Sequence, residues 1–96
     1  MGKIRWTTAA VYDLQAIREY AADSSPAYAN SLVDRLIART DVLETFPESG
    51  RIVPEMQNPK VRELLERGYR IVYKLVDAAH IDIIRVHHSS RPLTGL

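Results

Sequence analysis

Strand-type alternation is concentrated in the last third of the chain. In residues 69–76, Ile71, Tyr73 and Leu75 point one way while Arg70, Val72, Lys74 and Val76 point the other. Aromatic and β-branched residues make this stretch the strongest strand signal in the sequence. Residues 62–66 and 81–88 read as strands on either side of it, with tight connections at Arg67-Gly68 and at residues 77–80. In the last strand, Ile81, Ile83, Arg85 and His87 alternate with Asp82, Ile84, Val86 and His88. Apolar residues on both faces predict a central or well-covered strand. The mixed second face of residues 69–76 predicts partial exposure to solvent. A shorter alternating segment, residues 3–7, places Ile4 and Trp6 on a buried face and Lys3, Arg5 and Thr7 outside, as expected of an edge strand.

Between these strands the period becomes helical. Val11, Leu14, Ile17 and Ala21 form one apolar stripe, started by a hydroxyl cap at Thr7 or Thr8 and broken at residues 23–26. Ser25 followed by Pro26 reads as the cap and first position of a second helix, residues 26–45. Its inner face is Ala29, Leu32, Val33, Leu36, Ile37, Thr40 and Leu43. Residues 47–60 carry Pro47, Gly50, Pro54, Asn58 and Pro59 and read as a long structured connection.

Two helices with a short break form a hairpin, and the strands supply the surface that buries its apolar face. The predicted fold is therefore α+β, in the order β-α-α-β-β-β, with a helical hairpin on a small, mainly antiparallel sheet. The first strand, returning beside the last, would make one pairing that is not a hairpin. The 96 residues suit a single domain, 1–96, small enough that a partner covering an apolar face would matter to its stability.

Composition removes several classes of chemistry. With no cysteine there is no disulfide scaffold, cysteine nucleophile or thiolate zinc site. The apolar runs are too short to span a membrane, and the amphipathic N-terminal sequence does not read as a signal peptide, so a cytoplasmic protein without a membrane partner is expected. No P-loop, GxGxxG or GxSxG is present, and no cofactor is expected. His87 and His88, being adjacent on a strand, face opposite ways and do not share a metal ion, even with His80 nearby.

The net charge is only +1, yet its distribution is uneven. Lys60, Arg62, Arg67, Arg70, Lys74, Arg85, His87, His88 and Arg91 gather in the C-terminal part, while most acids lie upstream. Such a basic set suits an RNA or an acidic protein partner. Metal-free cleavage of RNA needs a base for the 2′-hydroxyl, cations for the phosphate and an acid for the leaving oxygen. His87 or His88 has the chemistry of the acid or base, and Arg62, Arg70 and Arg85 that of the phosphate clamp. Pairing of the same arginines with surface carboxylates is the structural alternative.

Over residues 3–91 the chain resembles the RelE/ParE superfamily of toxins from bacterial toxin–antitoxin pairs. The resemblance is carried by Trp6 before Ala9 and Ala10, Asp13-Leu14, Ile17 and Tyr20, then Leu36, Leu43, Phe46-Pro47, Gly50-Arg51 and Val53-Pro54-Glu55. Val61-Arg62-Glu63-Leu64, Tyr69 to Tyr73, and Ile83, Arg85-Val86, His88 and Arg91 complete it. It implies the same β-α-α-β-β-β fold and neutralisation by a cognate antitoxin in a hetero-oligomer that touches DNA only through the antitoxin. The Asp13-Leu14 to Tyr20 helix and the Val86 to Arg91 ending look like the ParE branch, whose members inhibit DNA gyrase. On that branch Lys60, Arg62, Arg70, Lys74, Arg85, His87, His88 and Arg91 are the implied target or partner contacts. The alternatives are a RelE-like nuclease that cuts messenger RNA on the ribosome, with Arg62, Arg70, Arg85 and His88 catalytic, and a non-catalytic interaction protein of the same fold.

Overall fold

A computed structural model of the chain describes residues 2–90; Arg91, named above as a contact, and the tail 92–96 lie outside them. The elements are β1 (Lys3–Trp6), α1 (Thr8–Ala22), α2 (Pro26–Arg39), a 3-10 turn (Thr40–Glu44), β2 (Arg51–Ile52), β3 (Val61–Glu66), β4 (Tyr69–Asp77) and β5 (His80–His88). The strands form one five-stranded sheet in the order β1-β5-β4-β3-β2. β1 runs parallel to β5, and every other pairing is antiparallel. The fold is the predicted α+β hairpin-on-sheet arrangement, with two residues of the long connection added as β2.

Local chemistry accounts for the boundaries. The Thr7 hydroxyl accepts the Ala10 N–H and caps α1, while Ser25 accepts the Tyr28 N–H and caps α2 ahead of Pro26. The second helix tightens at Thr40, whose hydroxyl donates back to the Ile37 carbonyl, so residues 40–44 continue as 3-10 rather than α-helix. Arg67 and Gly68 both have positive φ, 53° and 82°, which matches the twist of a two-residue hairpin between β3 and β4.

The helices bury one face of the sheet. Leu14, Ile17, Leu32, Val33 and Leu36 meet Leu64, Ile71, Tyr73, Ile81, Ile83 and Val86 in a single cluster. Val11 and Ile37, assigned to the inner stripes by period, lie at the hairpin margin and are 39% and 41% exposed. Tyr73 is fully buried; its hydroxyl donates to the Pro47 carbonyl (2.7 Å) and accepts the Gly50 N–H (3.0 Å). A Cβ at Gly50 would lie 2.5 Å from the Glu63 carbonyl oxygen and 2.7 Å from that hydroxyl, so only glycine lets the chain pass here.

The opposite face is partly solvated, as alternation predicts, with Lys74 and Val76 exposed. The cover over its other half comes from an unpredicted source: the connection after β2 folds across Val72 and Arg70. Val53 packs on Val61 and Val72, all three buried, with Ile84 beside them. Register in β5 also differs. Tyr73 pairs with Ile83 and Val72 with Arg85, which leaves Ile84 as an extra residue in the strand. The alternation therefore slips by one: Val86, not Arg85, follows Ile83 into the main core.

Candidate functional site

Of the eight basic residues implied as target or partner contacts, the seven among the described residues do not converge on one site. Arg85, His87 and His88 line a groove of about 640 Å³ between α1 and the end of β5, together with Asp13, Ala16, Tyr20, Tyr69 and Ser90. Lys60 and Arg62 line a second depression of about 490 Å³ beside Pro47, Glu48, Leu75 and Val76. Arg70 and Lys74 project from the face opposite the helices, and Arg91 lies outside the described residues.

The groove exists because β1 ends at Trp6, opposite Ile83, whereas β5 runs on to His88. Helix α1 crosses beside the strand that remains. Asp13 fills the missing pairing: one carboxylate oxygen accepts the Val86 N–H at 2.8 Å. The same carboxylate accepts Arg85 Nε at 2.8 Å and a terminal Arg85 nitrogen at 3.2 Å. Bonding to Asp13 raises the Arg85 pKa and keeps the guanidinium charged. Tyr20, 80% exposed, stands at one wall. At the other, the Tyr69 and His88 rings meet edge to face at 5.4 Å. His88 Nδ1 accepts the Ser90 N–H at 3.2 Å and lies 2.6 Å from the Ser90 hydroxyl.

The bulge divides the two histidines. His88 pairs with Tyr69 on the helix side of the sheet, and His87 pairs with Arg70 on the other side. Their divergence, expected from adjacency, thus persists, although each occupies the face opposite to the one assigned by simple alternation. Among the described residues no three His, Asp or Glu side chains gather as a metal-binding group.

Arg62 and Arg70 are committed to the protein itself. Arg62 donates to the carbonyls of Pro59, Glu48 and Gly50, and so acts as a three-point brace for the connection. Arg70 donates from Nε to Glu63 at 2.6 Å and from both terminal nitrogens to Glu55 at 2.7 Å. Glu63 is completely buried and also accepts Arg51 Nε at 2.5 Å. The bidentate bond to Glu55 raises the Arg70 pKa well above that of a free guanidinium, against the opposing effect of burial. Lys60 and Lys74 are exposed.

Asp13, Glu55 and Glu63 are not among the candidate site residues of the sequence reading. A signal for Glu63 is present: it occupies an inward position between Val61 and Leu65, where an unpaired carboxylate is too costly to bury. Its partners come from β2 and β4, and the loop supplies Glu55 as the second carboxylate for Arg70. No local pattern announces that set.

The model of the ParE toxin family of type II toxin–antitoxin systems, parDE, matches residues 4–93. "Toxin RelE2" of Caulobacter vibrioides is 35% identical over 92 residues, covering 95% of this chain and 99% of that protein. Among solved structures, one described as the chromosomal ParDE toxin–antitoxin system from P. aeruginosa superposes with a TM-score of 0.76 at 27% identity, over 92% of this chain and 96% of that one. With the hairpin, the mixed sheet and the match running through nearly the whole chain, this protein belongs to the ParE toxin family of the RelE/ParE superfamily.

Proposed function

We propose that this chain is the toxin of a type II toxin–antitoxin pair, held inactive by a cognate antitoxin, and that it acts in the cytoplasm by binding DNA gyrase. The observation that carries the choice of a protein target is the commitment of the arginines. A phosphate clamp needs cations whose donors are available to the substrate. Arg70 spends its donors on Glu63 and Glu55, Arg85 bonds Asp13 and Arg62 braces three carbonyls. The ParE family match and the ParDE structure support the same reading. Exposed apolar and aromatic residues on the helices, among them Val11, Tyr12, Tyr20, Tyr28 and Ile37, supply a surface that an antitoxin can cover.

The C. vibrioides relative is named a RelE toxin, which keeps the RelE-like alternative, a ribosome-dependent nuclease, as the second reading. Gyrase supercoiling and ribosome-dependent mRNA cleavage, assayed side by side with purified protein, separate the two. Loss of supercoiling with intact message is the expected result, and added antitoxin should reverse it. Cut message with normal supercoiling would transfer the assignment to the nuclease. Neither effect, with no growth arrest on induction, would leave a non-catalytic interaction protein.

A further inference from the structure

The segment from Arg51 to Lys60 lies over the sheet face opposite the helices like a strap, and its fastening is unusual in its charge balance. The strap contributes one cation, Arg51, and one anion, Glu55. The sheet contributes the opposite pair, Glu63 from β3 and Arg70 from β4. When the four are together, Glu63 and Arg70 each have two ionic partners. If the strap lifts, it leaves with no net charge from this set, and Arg70 and Glu63 remain bonded to each other across neighbouring strands. No buried charge is stranded, which is the usual obstacle to opening such a network.

The strap's ends are anchored: Arg62 donates to the Glu48 and Gly50 carbonyls before it and to the Pro59 carbonyl near its end, and the Leu75 N–H donates to the Lys60 carbonyl at 2.8 Å. Between those anchors the remaining fastenings are few. β2 contributes a two-residue pairing with the edge of β3. Val53 is the one fully buried apolar plug of the strap, and its N–H donates to the Val61 carbonyl at 3.1 Å. The bonds of Met56 and Gln57 to the Val53 carbonyl are internal to the strap and can travel with it. Gln57 sits at φ 50°, a conformation that side-chain-bearing residues seldom adopt, and it gains freedom on release. The main core, by contrast, lies on the far side of the sheet and does not include Val53.

We propose that this strap is a conformational device that opens without unfolding the domain, with the Arg70–Glu55 bond as its clasp. Opening uncovers Val61, Val72 and Ile84 as a second apolar surface of the sheet. Segments with few buried contacts and their own set of fastenings open independently in this way.

Amide hydrogen exchange on the full chain tests the device, with Val53 as reporter of the strap and the amides of β4 as reporters of the core. Val53 should exchange at least about tenfold faster than the slowest β4 amides. Glu55→Gln should accelerate Val53 by a further factor of roughly ten and leave β4 unchanged, since it removes one charge-assisted bidentate contact. In the unaltered protein, raising salt from about 0.05 to about 1 M, a range chosen to shorten the screening length to about 3 Å, should move Val53 in the same direction. Exchange of Val53 in step with β4 under every condition, or equal acceleration of both by Glu55→Gln, would overturn the proposal.

Discussion

Asp13 grips Arg85 across 72 positions of sequence and, with the same carboxylate, takes the backbone N–H of the next residue, Val86. The contact sits where β1 stops and β5 continues, so a side chain from α1 stands in for a missing strand. Its two halves differ in weight. The Arg85 side chain is 35% exposed and can return to water, whereas the Val86 N–H cannot do so without moving the helix. Asp13→Ala should therefore cost about 2–3 kcal/mol and Arg85→Ala no more than about 1 kcal/mol, read by urea denaturation. Equal losses would mean that the ion pair, not the backbone bond, is the stabilising part. If Arg85 also contacts the target, Arg85→Ala lowers toxicity at matched protein levels, and unchanged toxicity restricts the residue to its structural role.

The buried pair on the other face predicts non-additivity. Arg70→Met leaves Glu63, fully buried, with Arg51 alone, and should destabilise by about 3 kcal/mol or more. Adding Glu63→Leu removes the uncompensated carboxylate and should return at least about half of that loss, because Arg51 and Glu55 are both solvent-accessible once released. A double mutant as unstable as the sum of the single changes would refute this account of Glu63.

Alkaline stability reports on Tyr73. Burial raises its pKa, with the Gly50 N–H opposing the effect. A raised folded pKa means that the native state holds the proton longer than the unfolded chain does. The stabilisation is complete below the unfolded value of about 10 and is lost as pH rises through the higher folded value. Tyr73→Phe should be less stable than the unaltered protein near neutral pH, since Pro47 and Gly50 lose their partner. Thermal melts of both proteins should then converge as pH climbs above about 10, as ionisation penalises only the tyrosine. Parallel melting curves across that range would count against it.

How far each feature is legible in the sequence depends on the range of its cause. The caps at Thr7 and Ser25, Pro26 at the start of α2, the Arg67-Gly68 turn and the central position of residues 69–76 are local, and the structure follows them. The 3-10 turn after Arg39 reads as continued helix because its side chains keep a helical face. β2 is only two residues long and gains its identity from pairing with β3, so no alternation marks it. The basic residues are legible as a cluster in sequence but not as a site. Whether an arginine is available depends on where carboxylates from other elements come to lie.

The sequence by itself determined the fold class, the order of the elements and the apolar faces that close the main core, because helix period, strand alternation and caps act over a few residues. Only the tertiary structure decided which face Val86 and the two histidines occupy, since one extra residue at Ile84 reverses everything after it. It also decided that Arg70 and Arg85 are fastened within the molecule. Asp13, Glu55 and Glu63 come from three different parts of the chain, and charges so far apart find one another only when the packing of those parts brings them within hydrogen-bond reach.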